Sequence, residues 1–341
     1  MMKRALLLLY LLAVPCVVTS CKDDTAPATS TAMVLSLDKL CEFLKWESAS
    51  DKEIYILRAG YEGDTATLGN LKNKDFIDFY CTGAAAAGNK ELVMQCLDKG
   101  VSPNGGLGGA ALGGHLEIVQ LMLDKGATNY DWGLEGAAWG GHMGIVQLML
   151  DKGANTYNDG LEGAALGGHM DIVQLMLDKG ATGYNDGLEY AAWGGHMELV
   201  QLMLDKGADP NIGLAGAAWG GHLKIVQLML DKGATDYDWG LEKAAWGGHM
   251  DIVQLMLDKG ADPNWGLEGA ARGGHLDIVQ LMLDKGANPN RGLRGAAEGG
   301  HLDIVQLMLD KGATDLDSAL RESESYGHTE CAELIRAAMR E

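Results

Sequence analysis

Residues Gly299–Ala313 read GGHLDIVQLMLDKGA, and near-copies of this stretch begin at Gly113, Gly140, Gly167, Gly194, Gly220, Gly247 and Gly273. The spacing between copies is always 26 or 27 residues. A fixed period of that length implies a stacked array of small supersecondary repeats. Within the quoted copy, Leu302–Lys311 carries apolar residues at Leu302, Ile304, Val305, Leu307, Met308 and Leu309. The polar residues Asp303, Gln306 and Asp310 fall on one narrow helical face, which leaves an unusually wide apolar arc. Such an arc suits a helix sandwiched between two like neighbours. Gly312 is the expected helix stop. Upstream, Leu293–Glu298 is a short helix-forming run broken by Gly299-Gly300, so each repeat predicts a helical hairpin. The pair Ala296-Ala297 permits close helix approach, and stability accrues from stacking neighbours.

The run Ala-Ala-x-Gly-Gly-His-x-x-Ile-Val-x-Leu-x-Leu-x-x-Gly-Ala resembles the ankyrin repeat, and the match extends from about Gly83 to Arg340. The resemblance implies an all-α helical-repeat solenoid of stacked helix-turn-helix pairs, and a protein–protein interaction scaffold. The usual ankyrin repeat is about 33 residues long and opens with Thr-Pro-Leu-His and a β-hairpin finger. Here Gly-Leu-Glu or a variant stands in that place, so the fingers are expected to be absent or reduced to tight turns. Two connecting segments account for the period. Ser102-Pro103-Asn104, Asp209-Pro210-Asn211, Asp262-Pro263-Asn264 and Asn288-Pro289-Asn290 belong to 26-residue spacings. Asn129-Tyr130-Asp131 and Asp236-Tyr237-Asp238 belong to 27-residue spacings. The Pro-Asn form reads as a turn, and the tyrosine ring is expected to lie against the neighbouring loop.

The rest of the chain divides around this array. Lys3 and Arg4 precede an apolar run, Ala5–Val18, and a small-residue zone, so residues 1–20 read as a signal-peptide-like segment. Val18-Thr19-Ser20-Cys21 resembles the bacterial lipoprotein signal box, which makes Cys21 a candidate lipid attachment site and residues 21–32 a polar tether. The expectation is an exported, lipid-anchored protein, with membrane contact only through that anchor. An ordinary secretory signal and an intracellular or host-cytoplasmic chain are the alternatives. Residues 33–82, with an amphipathic helix candidate at Leu35–Trp46, read as an N-terminal capping region; a small separate domain is the alternative. The array itself spans 83–319, its first hairpin carrying Asn89 where the others have histidine. Residues 320–341 form a C-terminal capping repeat with a polar outer face.

Composition narrows the function. The net charge is −20, and no basic stripe with interleaved aromatics occurs, so no nucleic-acid ligand is expected. His115, His142, His169, His196, His222, His249, His275, His301 and His328 all open the second helix of a repeat. One helix layer, about 8–10 Å, separates successive rings, whereas shared metal ligation needs each nitrogen about 2 Å from the ion. In the ankyrin family this histidine is structural. No metal and no cofactor are expected. Gly106–Ala111 formally matches a dinucleotide fingerprint, but no strand precedes it and Gly108 merely replaces the glutamate of sister repeats. Cys81 and Cys96 fall in the first hairpin and read as buried free thiols. No catalytic constellation stands out, so the chain reads as a non-enzyme.

Positions where near-identical repeats disagree are more informative, because core positions hardly change and variable ones are expected to be exposed. The residue after the alanine pair runs Leu112, Trp139, Leu166, Trp193, Trp219, Trp246, Arg272, Glu298. By resemblance to ankyrin arrays this series lies on the concave, partner-contacting face. A second series, before Gly-Leu, includes Trp132, Trp239, Trp265 and Arg291, while Tyr190 and Lys243 interrupt a run of glycines. Tryptophans at such places are the usual anchors of a protein interface. The competing reading is a packing ladder between repeats. A third reading, a membrane-tethered spacer without a dedicated ligand, belongs to a different class.

Overall fold

Each copy of the quoted stretch supplies the turn and second helix of a helix pair whose first helix lies just upstream. In the copy ending at Ala313, Asn288 caps the first helix, its side chain accepting from the Asn290 amide at 3.0 Å, and Pro289 occupies the first turn, where its missing N–H costs nothing. The helix runs Pro289–Gly299, and Gly300 follows at φ +76°. The second helix runs Leu302–Asp310 and ends on Gly312 at φ +85°. The Ala313 amide donates to Met308 O at 3.0 Å and the Gly312 amide to Leu309 O at 2.9 Å, the paired bonds of a Schellman stop.

The computed structural model describes residues 51–340. The signal-like segment 1–20, Cys21, the tether and the helix candidate at 35–46 lie outside the described residues. Among the described residues the chain is all-α, a series of stacked helix pairs of the ankyrin-like, helical-repeat solenoid class with no strand. The hairpin fingers are replaced by short connections, as their missing length predicts.

The chain divides into two compact blocks, one ending at Ala181 and the other beginning at Thr182. In the N-terminal block, Asp51–Glu62 packs along Lys74–Ala86, with the short Thr65–Asn70 between them. Ile56, Leu57, Ile77 and Phe79 are buried here, and the fully buried Tyr80 donates its hydroxyl to Asp64 O at 3.0 Å. Burial pushes the Tyr80 phenol up to about 12. Regular pairs follow, with first helices Pro103–Leu112, Tyr130–Trp139 and Tyr157–Gly167 stacked in series. Asn89 caps its helix in histidine's place, accepting from the Leu92 amide at 3.2 Å. Cys81 and Cys96 are free and buried, and their mutual hydrogen bond, with burial, pushes the Cys81 thiol well up.

The C-terminal block repeats the pattern through first helices Tyr184–Gly194, Pro210–Gly220, Tyr237–Trp246, Pro263–Gly273 and Pro289–Gly299, and ends with Leu316–Tyr326 and Thr329–Ala338. In the last pair Ser323 stands where Ala296 stands in its neighbour, and it stays buried by donating to Ala319 O at 3.1 Å.

Two expectations are corrected. Pro-Asn and Tyr-Asp are not loop turns but the first turn of the first helix, so that helix is longer than the alanine run suggested. Proline's fixed φ is as well suited to a helix start as to a turn. The Tyr184 ring receives the Lys206 ammonium at 5.7 Å, and Lys206 opens the neighbouring connection between helices. Finally, the apolar arc of the second helix is not wholly buried. Ile304, Val305 and Met308 are inaccessible, but Leu302, the first residue of that helix, is 39% exposed.

Candidate interaction face

Neighbouring repeats are tied by two ladders of hydrogen bonds. In the first, histidine Nε2–H groups donate to the carbonyl of the variable residue after the preceding alanine pair: His142 to Leu112 and His169 to Trp139 in one block, His222 to Trp193, His249 to Trp219 and His275 to Trp246 in the other, at 2.9–3.1 Å. The histidines are therefore structural, and one of them carries a titration signature. Burial lowers the His142 pKa, partly offset by its bond to Leu112 O and reinforced by His115. The second ladder was not legible beforehand. Asn211 Oδ1 accepts from the amides of Thr235 and Asp236 at 2.8 and 3.0 Å, and Asn104, Asp131 and Asn290 do the same one repeat along. A short side-chain acceptor at the second helical position of each repeat, asparagine or aspartate, was the available signal.

These ladders hold the variable residues in register. Because their own carbonyls accept from the histidines, their side chains are set at a constant place in each repeat. In the N-terminal block the expected exposure does not hold: Leu112, Trp139 and Leu166 are 2%, 2% and 4% exposed, and Trp132 4%. Large apolar side chains between stacked helices gain more by packing there than by facing water. That part of the series is core.

The C-terminal block is different. Tyr190, Trp193 and Trp219 are half-buried, and they form a continuous aromatic surface. Trp193 and Trp219 stack with centroids 4.4 Å apart and planes 4° from parallel, and Tyr190 sits 6.3 Å from Trp193. Trp246, itself buried, stacks on Trp219 at 5.4 Å. The packing ladder considered from sequence thus exists in this block, and its Tyr190–Trp193–Trp219 end is also accessible.

Lys243 is the unusual member. It occupies the place where sister repeats have Gly216, Gly269 and Gly295, and a Cβ at Gly216 would run into the Glu189 carbonyl. The helices Pro210–Gly220 and Tyr237–Trp246 accordingly pack less closely than their neighbours. Into the space goes the buried Lys243 ammonium, 4.8 Å from the Trp246 centroid and 5.7 Å from Trp219. Burial lowers its pKa, opposed first by Glu242. Burial likewise raises Glu189 and Glu242 above the usual carboxylate range, with Lys243 opposing in both. Desolvation outweighs attraction on all three groups.

Beyond Trp246 the surface becomes ionic. Arg272 stacks on Trp246 at 5.0 Å and reaches Glu298 at 2.6 Å and Glu242 at 3.5 Å. The buried Glu268 accepts from Arg291 at 3.0 Å and from Arg294, a contact that raises the Arg294 pKa. Arg291 also lies over the exposed Trp265 at 5.8 Å, while Trp239 is half-buried about two helical turns before Trp246. Glu189, Glu242 and Glu268 were missed from sequence, although each precedes its variable residue by four and so shares its helical face.

Among the described residues no cluster of three or more His, Cys, Asp or Glu side chains is placed to hold a metal ion, and no helix is long and apolar enough to cross a membrane. The family described as Ankyrin repeats (3 copies) matches residues 134–213, and that described as Ankyrin repeat matches residues 241–265 and 269–292. No curated protein matches the chain.

Proposed function

We propose that this chain, whose matched segments are ankyrin repeats, is a non-enzymatic scaffold that reads a protein partner through the aromatic face of its C-terminal block. Ankyrin repeats generally mediate protein–protein interaction, and proteins built from them are typically scaffolds. One observation carries the finer reading: the half-buried Tyr190–Trp193–Trp219 surface, built from variable positions on an otherwise constant repeat. Stacked indoles fixed by neighbouring backbone lose little entropy when a partner covers them, which is what an interface hot spot requires. Leu112, Trp139 and Leu166, being core, leave the reading; Tyr190, Trp193 and Trp219 remain its centre, with Trp265 and Arg291 at a charged margin.

The test is partner capture with the Trp193→Ala, Trp219→Ala double variant against the unaltered full chain. Loss of capture with the melting temperature held within a few degrees supports the reading. Undiminished capture by a folded double variant refutes it.

A further inference from the structure

The Trp193–Trp219 surface belongs to a ladder that already accepts cations from its own chain. Lys243 lies over Trp219 and Trp246, and the Arg272 guanidinium lies over Trp246, at 4.8–5.7 Å from the ring centroids. Indole faces attract ammonium and guanidinium groups through the ring quadrupole, more strongly where water is displaced. Carboxylates border the same surface. Glu189 stands four residues before Trp193 and therefore on its helical face. Its half-buried carboxyl is held above the usual range by burial, so a cation brought beside it relieves a desolvated charge.

The two ends of the ladder differ in how those carboxylates are used. At one end Glu242, Glu268 and Glu298 are engaged by Arg272, Arg291 and Arg294. At the other, residues 182–240 contain no arginine, and the cation that acts on Glu189 is the Lys243 ammonium, already seated over Trp219 and Trp246. Across the chain acidic residues outnumber basic ones 47 to 27, a field that steers cationic partners and repels anionic ones.

We propose that the Tyr190–Trp193–Trp219 surface, with Glu189, docks a lysine- or arginine-bearing segment of a protein partner, its cation seated against the exposed part of the indole pair. This inference rests on the reading of that surface as the partner-binding face. It adds the chemistry of the partner. Docking would extend outward the alternation of ring and cation that Lys243 and Arg272 make within the block.

The probe is a short fluorescent peptide of alternating lysine, arginine and serine, titrated into the full chain at physiological ionic strength and read by anisotropy. The comparison peptides carry acetyl-lysine and citrulline, or glutamate, at the charged positions. Only the cationic peptide should bind. Glu189→Gln, nearly isosteric, and Trp219→Phe, which keeps a ring, should each weaken it by about five- to tenfold. Asp205→Asn, on the exposed outer face of a second helix, should change it less than twofold. If Glu189→Gln and Asp205→Asn act equally, the chain's general acidity is responsible and the proposal falls, as it does if no peptide binds. If the neutral peptide binds as well and loses affinity in Trp219→Phe, the cationic partner is wrong but the face still reads protein. If cationic binding ignores both Trp219→Phe and Trp193→Ala, both readings fail.

Discussion

The same substitution should have opposite signs at two glycines, and the structure says why. Gly247 closes the first helix Tyr237–Trp246 at φ −75°, a conformation open to any residue. By helix propensity alone, alanine there would stabilise by up to about 1 kcal/mol. A Cβ on Gly247, however, would lie 2.5 Å from Trp219 O and 2.7 Å from the His249 ring, and Trp219 O is the acceptor of the 2.9 Å bond from His249 Nε2. A backbone carbonyl cannot step aside as a side chain can. Overpacking costs about 1–3 kcal/mol, and loss of the histidine bond about 1 kcal/mol more. Gly247→Ala is therefore expected to destabilise by a net of about 1–3 kcal/mol. Gly144 is the control: it is exposed within Met143–Lys152, and a Cβ there meets nothing within 4 Å. Gly144→Ala should stabilise by about 0.5–1 kcal/mol. Urea unfolding of the full chain, with amide exchange around Trp219 and His249 to localise the change, measures both. Shifts in the same direction for the two variants would refute the idea that histidine-to-carbonyl contact sets the repeat spacing.

Other outcomes follow from single groups. Asp78 has a buried carboxylate oxygen with no hydrogen-bond partner, and burial, then the Asp75 charge, pushes its pKa up to about 6. A folded value above the unfolded one means that this group costs stability as pH rises through about 4 to 6. Asp78→Asn should therefore be more stable than the parent near pH 7.5, by about 1–2 kcal/mol after solvent screening, and indistinguishable from it near pH 4 in thermal melts. His142 titrates in the opposite sense. Its lowered pKa contributes stability above the unfolded value of about 6.5 that is lost as pH falls through the folded one. His142→Gln should flatten that part of the stability profile. Asn104→Ala removes the acceptor of the Thr128 and Asn129 amides and should cost about 0.5–1.5 kcal/mol in urea unfolding, whereas Asn104→Asp, which keeps an acceptor, should not. For the N-terminus, the proposed anchor predicts an intact mass corresponding to a chain that begins at Cys21 and carries added lipid; a mass retaining Met1 and the apolar run contradicts it.

The repeat was legible because its physics is local. Alanine pair, Gly-Gly-His and Ile-Val-x-x-Met are set by contacts that recur every 26 or 27 residues, so the period itself exposed the helix pair and its stops. The role of Pro289 was not legible, since the same fixed φ serves a turn and a helix start. Nor was the fate of the variable positions. Variation was read as exposure, yet Trp139 and Trp246 vary and are buried, because the space between first helices admits leucine or tryptophan alike. What separates Trp219 from Trp139 is its surroundings: Lys243 replaces glycine in the next repeat and loosens the packing of the two first helices there. That distinction depends on a residue in the neighbouring repeat, which a column-by-column comparison does not weigh. Glu189 and Glu242 were overlooked for the opposite reason: as near-constant residues they looked structural, although they sit one helical turn from the rings.

The central claim is that a constant core presents one variable aromatic face to a protein. Amide exchange on the full chain with and without its captured partner tests it most directly. The account predicts added protection concentrated in the first helices Tyr184–Gly194 and Pro210–Gly220, with the outer faces of second helices such as Met197–Asp205 unchanged. Protection confined to those outer faces, or to the connections at the opposite ends of the helices, would contradict it.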